Sequence, residues 1–210
     1  MYLPEIFEEK DHEKLYQIIE NYPFATLVSQ STNGFGANRL PFKLLREPEH
    51  HRAILVAHIA RNNPLHTQIR NGTEVLVIFQ GEQGYISPNW YPSKQQHHQH
   101  VPTWNYQVVH VNGAIRFLED EKSLRGILAK LTRTHEAKQP KPWKMSDAPS
   151  DFIAEELKGI IGIEIEIKQM TGKFKLSQNR DKVDAVGVVD GLEQQGKAKL
   201  AQAIQQYIED

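Results

Sequence analysis

The chain has 210 residues, of which 39% are hydrophobic and 24% charged, with a formal net charge of -1. That length suits one ordinary core, and the balance is that of a soluble globular protein without the general basicity of an unaided nucleic-acid binder. No cysteine is present, which excludes disulfides, thiolate catalysis and cysteine-ligated zinc or iron–sulfur centres.

The opening MYLPEIFEEKDHEK is acidic and lacks the basic and apolar regions of a secretory signal. No apolar run approaches the roughly 20 residues of a membrane-spanning helix, so a cytoplasmic protein without a membrane partner is expected. Leu15, Ile18, Ile19 and Tyr22 recur at helical spacing after Asp11, and Pro23 closes that helix. FATLVSQ reads as a strand, STNGFG (Ser31 to Gly36) as hairpin chemistry, and ANRLPFKLL as the returning partner. AILVAHIA (Ala53 to Ala60) is a third strand. A short helix follows from Pro64 to Arg70, opened by a proline whose missing N–H costs nothing there.

EVLVIFQG (Glu74 to Gly81) is almost continuously apolar and predicts a buried strand. YQVVHVNGAIRFL (Tyr106 to Leu118) is its neighbour, and GIIGIEIEIKQMTG (Gly159 to Gly172) alternates cleanly, with Glu164 and Glu166 outward. Between these two lies a helix from Glu121 to Thr134. Leu124, Ile127, Leu128 and Leu131 form one face, and Lys122, Arg125, Lys130 and Arg133 the other. A second helix is expected near Asp151 to Leu157. Leu192, Leu200, Ile204 and Ile208 predict a final amphipathic helix from Gly191 to Asp210. The fold class is mainly β with flanking helices (α+β), built on a closed antiparallel barrel. Residues 1–172, with a helical insertion at about 120–158, form the barrel domain, and 173–210 form a polar segment and helix packed on it.

The densest chemistry runs from Tyr85 to Tyr106, where YISPNWYPSK is followed by VPTWNY. Rings bury apolar area behind a polar tip while proline pre-sets the backbone, so Trp90, Tyr91, Trp104 and Tyr106 suit a planar ligand, with Lys94 and Asn105 as donors. In AHIARNNP the strand ends at Ala60, and Arg61, Asn62 and Asn63 lead into a helix, which brings an arginine, amides and free backbone N–H groups to one spot suited to an anion. KFKLSQNR carries Lys175, Gln178 and Arg180 without an apolar period and predicts a polar pocket. His110 alternates with Val109 and Val111, and so faces away from the side the valines bury. His98 and His100 of QQHHQH would share one face of an extended strand, but no carboxylate or cysteine lies near them in sequence, so no metal site is expected. The role of the loop bearing His97, His98 and His100 stays open. No Gly-rich phosphate loop, G-x-S-x-G elbow or paired-carboxylate arrangement stands out, and no catalytic residue is assigned.

The chain resembles the PaiB family of FMN-binding negative transcriptional regulators from MYLP to the last helix. The most specific pieces are FATLVS, ANRLPF, AHIARNNP, SPNWYPSK, VPTWNY with VHVNG, His135–Glu136, PKPWK and KFKLSQNR. The resemblance implies a split β-barrel of the pyridoxamine phosphate oxidase-like group, mostly homodimers that bind flavin at the subunit interface. It implies FMN contacts from Arg39, His58, Ala60, Arg61, Asn62, Lys94, Trp104, Asn105, His110, Lys175 and Gln178. Relatives tend to carry histidine where this chain has Arg39, and an aromatic soon after the NP pair, where Leu65 and His66 stand here; arginine favours a phosphate.

Two functional classes follow. One is a dimeric FMN-binding regulator that meets DNA through Lys122, Arg125, Lys130 and Arg133. The alternative is an FMN-dependent oxidoreductase, of flavin reductase or pyridoxamine phosphate oxidase type, acting on a small molecule. A haem protein ranks below both: His58, His66 and His110 offer axial ligands, but their spacing does not select haem.

Overall fold

The hairpin of β2 (Phe24–Ser31) and β3 (Gly34–Pro41) is antiparallel, with Phe24 opposite Pro41 and Ser31 opposite Gly34, so Thr32 and Asn33 form the turn. Gly34 takes φ 101, a left-handed value that a side chain would resist. The computed structural model describes residues 1–47 and 52–209. The other strands are β1 (Glu8–Glu9), β4 (Lys43–Glu47), β5 (Arg52–Ala60), β6 (Glu74–Ile86), β7 (Thr103–Leu118) and β8 (Ile160–Lys175). The helices are α1 (His12–Asn21), α2 (Leu65–Gln68), α3 (Lys94–His97), α4 (Glu121–Glu136), α5 (Ser150–Lys158), α6 (Lys182–Gln194) and α7 (Ala198–Glu209). None of the described helices is long and apolar enough to cross a membrane.

Contacts group the chain into two compact units. The first gathers 1–18, 80–109 and 171–210, and the second 19–79 and 110–170. In the second unit the strand order is β3-β2-β6-β7-β8-β5-β4. The outermost strands, β3 and β4, are separated in the chain by Phe42 alone, so the sheet must curl until its edges approach, which makes a barrel. The return strand expected over Ala37–Leu45 is thus two strands. Phe42 makes the switch: its N–H donates to Pro23 O at 2.9 Å, and its buried ring meets Phe79 edge-on.

Four consecutive residues of β5, Ile54 to Ala57, are buried although a strand alternates its faces. The register explains this. Ile54 and Val56 pack under Ile127 and Leu131 of α4, leaving Leu55 and Ala57 for the other face. Gly162 of β8 permits the approach, because a Cβ there would lie 2.9 Å from Ile127 Cδ1. Leu124 joins Ile153 and Leu157 of α5, and each such burial stabilises by about 1.5–3 kcal/mol. Glu164 and Glu166 are held by Arg52 and Arg116.

In the first unit, β1 pairs with the end of β8, and α6 and α7 form a helical hairpin. The single helix expected over Gly191–Asp210 is corrected here: α7 begins at Ala198, α6 starts as early as Lys182, and Asp210 lies outside the described residues. Gly196, at φ 71, follows α6 in the left-handed conformation that ends many helices. Gly187 and Gly191 lower helix propensity, which hides α6 in the sequence. Both are required. A Cβ at Gly191 would fall 2.3 Å from the Trp90 ring, and one at Gly187 would fall 2.1 Å from Trp90 O.

Candidate functional site

In the second unit, β5 ends at Ala60 and the chain turns through Arg61–Asn63 into α2. Arg61 holds the end of α5. Its Nε donates to Lys158 O at 2.6 Å, Nη2 to Ile160 O at 3.1 Å, and its backbone N–H to Gly159 O at 2.8 Å, satisfying carbonyls that a helix end leaves without partners. Nη1 pairs with Glu119 Oε2 at 2.7 Å. Three of the five guanidinium donors are therefore used and two remain. Arg61, Glu119, Leu124 and Lys158 border an open cavity of about 460 Å³.

Asn63 knits this turn to β3: its Nδ2 donates to Asn38 Oδ1 at 2.8 Å, and its Oδ1 accepts the Leu65 N–H at 3.0 Å. His66 Nδ1 lies 2.8 Å from Asn63 O, and its ring meets Phe117 edge-on. Arg39 lies apart from Arg61 in this bonding. It is exposed, donates to Phe24 O at 3.1 Å and stacks over the exposed Phe24 ring. Ala60 and Asn62 are exposed. By alternation His58 shares the face of Ile54 and Val56, and its buried Nδ1 has no hydrogen-bond partner among the described residues. Burial pushes the pKa of His58, and that of His110 on β7, below the ordinary histidine value.

The aromatic segment, in the first unit, is organised differently. Trp90 lies against the glycines of α6, and Tyr91 is buried with its ring stacked on His100 at 4.5 Å and Arg180 above it at 4.8 Å. These two rings face the protein, whereas Trp104 stays half exposed and meets Tyr85 at 6.2 Å. Asp184, near the start of α6 and 2% exposed, accepts the Ser93 N–H at 3.0 Å and the Ser93 hydroxyl at 2.6 Å, while His100 Nε2 lies 3.3 Å away. Burial alone would raise the Asp184 pKa, but the Ser93 bonds and the His100 and Arg180 charges hold it below the usual carboxylate value. This carboxylate was missed from the sequence, since Ser93 and Asp184 are 91 residues apart; the one local cue is the Gly187–Gly191 spacing that brings the loop onto α6.

The remaining expected contacts are bonded within the chain. Buried Asn105 donates to Ser177 Oγ at 2.7 Å, and Ser177 holds the left-handed φ of 68. Lys175 donates to Trp104 O at 2.8 Å and to Thr103 Oγ1; burial first, then Arg180 and Lys173, lowers its pKa. Gln178 closes onto Leu176 N and Phe174 O, and Lys94 donates to Asn89. Leu176, Ser177, Gln178 and Arg180 line a small cavity of about 120 Å³. His98 and His100 do not share an extended strand face, because α3 is helical up to His97 and His98 is left-handed at φ 53.

A family described as "Putative FMN-binding domain" matches residues 1–169. The chain is 30% identical over 193 residues to the Bacillus subtilis (strain 168) protein "Protease synthase and sporulation protein PAI 2", covering 92% of this chain and 89% of that one. Among solved structures, the FAD and haem binding protein from Mycobacterium smegmatis aligns with a TM-score of 0.57 at 15% identity, over 80% of this chain and 73% of that chain. The flavocytochrome Anf3 from Azotobacter vinelandii aligns with a TM-score of 0.53 at 14% identity, over 80% and 69%. With the curled antiparallel sheet and flanking helices, these likenesses establish the split-barrel fold.

Proposed function

This chain belongs to the PaiB family, described as "Putative FMN-binding domain", and on that premise we propose that it binds FMN and acts as a homodimeric negative transcriptional regulator. The observation that carries the flavin reading is the donor set left over at the end of β5. Among the described residues Arg61 keeps two donors, Asn62 is exposed, and the His58 Nδ1 is buried without a partner. That set fits a phosphate and polar ring edge: the Arg61 and Asn62 side chains bind the anion, the Arg61 backbone N–H being spent on Gly159 O, and His58 supplies a neutral ring nitrogen. Arg39 adds a second guanidinium. Flavin, when bound, supplies electron-transfer chemistry, and the chain's residues bind and orient it.

The regulator reading is supported by the likeness to PAI 2 and by α4, where Lys122, Lys130 and Arg133 are exposed and form no ion pair among the described residues. Arg125 is partly spent on Glu121 at 2.7 Å. Because only three of the four expected cations stand free, the oxidoreductase stays as the second reading.

Reconstitution tests both. Chain mixed with FMN and desalted retains the flavin spectrum, and Arg39→Ala with Asn62→Ala lowers affinity by about 10–100-fold, the effect of losing a charge-assisted hydrogen bond. Unchanged retention in that variant overturns the site. A salt-sensitive, sequence-selective gel shift weakened by Lys130→Glu supports the regulator; its absence, with bleaching of bound flavin by NAD(P)H, supports the enzyme.

A further inference from the structure

The sequence pieces His135–Glu136 and PKPWK play no part in the flavin reading, yet together they build a cavity. After α4 ends at Glu136 the chain doubles back. Gln139 N–H donates to Glu136 O at 2.9 Å, Trp143 N–H to Glu136 Oε2 at 2.9 Å, and Lys144 N–H to Asp147 Oδ2 at 3.0 Å. Between this return segment and the last turns of α4 lies an open cavity of about 450 Å³, inside the range of small-molecule sites. Its walls are apolar, with Ala129, Pro142, Trp143 and Met145 contributing. Arg133 and Lys144 also line it, and neither forms an ion pair among the described residues. Glu136 is the only acid lining it among the described residues, and one of its oxygens is taken by the Trp143 amide.

We propose that this cavity is a binding site for a small aromatic monocarboxylate. A half-exposed indole beside a proline offers a flat face for a ring. The charges of Arg133, Lys144 and Glu136 leave one net positive charge, matched by one carboxylate, and the planar guanidinium fork suits that group. A dianionic phosphate would carry excess charge toward Glu136. A neutral ring would forgo both cations.

The test is calorimetric titration of the full chain, saturated with FMN, with 1-naphthoate and its neutral counterpart 1-naphthylmethanol. One naphthoate binds per chain, about tenfold more tightly than the alcohol. Arg133→Gln and Lys144→Gln each erode that preference, whereas Trp143→Ala weakens both compounds; all three positions are exposed, and circular dichroism verifies that the variants stay folded. Equal affinity for the two compounds, wild-type binding by folded variants, displacement of naphthoate by FMN, or no binding at millimolar concentration each overturns the assignment.

Discussion

The end of β5 and the segment from Ser87 to Tyr106 look alike as sequence, each a run of amides and cations beside proline, and they fold to opposite states. In the aromatic segment several polar groups pair within the chain, Ser93 and His100 on Asp184 and Asn105 on Ser177, while the buried Tyr91 hydroxyl has no hydrogen-bond partner among the described residues. At the end of β5, Arg61 is half spent, Asn62 is exposed and His58 keeps an orphan nitrogen. Burying a polar group without a partner is costly, so the paired groups around Asp184 act as a structural lock, and the exposed donors of Arg61 and Asn62 are where a ligand finds hydrogen bonds.

The largest expected effect lies in the lock. Asp184→Ala strands the Ser93 amide and hydroxyl and costs about 3 kcal/mol in urea unfolding; a loss below about 0.5 kcal/mol would show that the buried cluster is not holding the loop. The carboxylate also sets a pH signature. Because its folded pKa lies below the unfolded one, its contribution is fully present above the ordinary carboxylate value and is lost as pH falls through the lower folded value. Asp184→Asn therefore flattens that part of the acid-unfolding profile.

A middle effect is expected where the loop meets α6. Gly191→Ala drives a methyl into the Trp90 ring and costs about 2 kcal/mol by overpacking, read as a lower urea midpoint, and Trp90→Ala in the same chain restores part of it. If the single substitution is neutral, the glycine spacing does not position the loop.

The smallest effect on stability belongs to the strand end. Arg61→Ala removes a half-exposed ion pair and bonds to the last carbonyl of α5, Lys158 O, and the first of β8, Ile160 O, which contribute about 1 kcal/mol. Its affinity for FMN falls by more than its stability does. A stability loss equal to that of Asp184→Ala, with FMN affinity intact, would mean that the two regions are built alike.

Much of the barrel was legible. Alternation marked β8, the β-rich runs FATLVSQ and AILVAHIA marked β2 and β5, STNGFG marked the turn, and α4 appeared with Leu124, Ile127 and Leu131 on its buried face, as the structure has them. Phe42 escaped because a change of sheet edge leaves no periodic trace, and α6 because its glycines serve Trp90 rather than the helix. At the candidate site, the residue types at Arg61 and Asn62 were readable, but the partners of Arg61 were not.

The divide has one physical source. Periodicity, turn chemistry and capping act between residues a few positions apart, so the order of local side chains already specifies strands, hairpin and insertion helix. Which polar groups remain free is settled by partners that only folding supplies. Arg61 meets Glu119 across 58 residues, Lys158 across 97 and Ile160 across 99, and each bond consumes a donor that the linear sequence had seemed to reserve for a ligand.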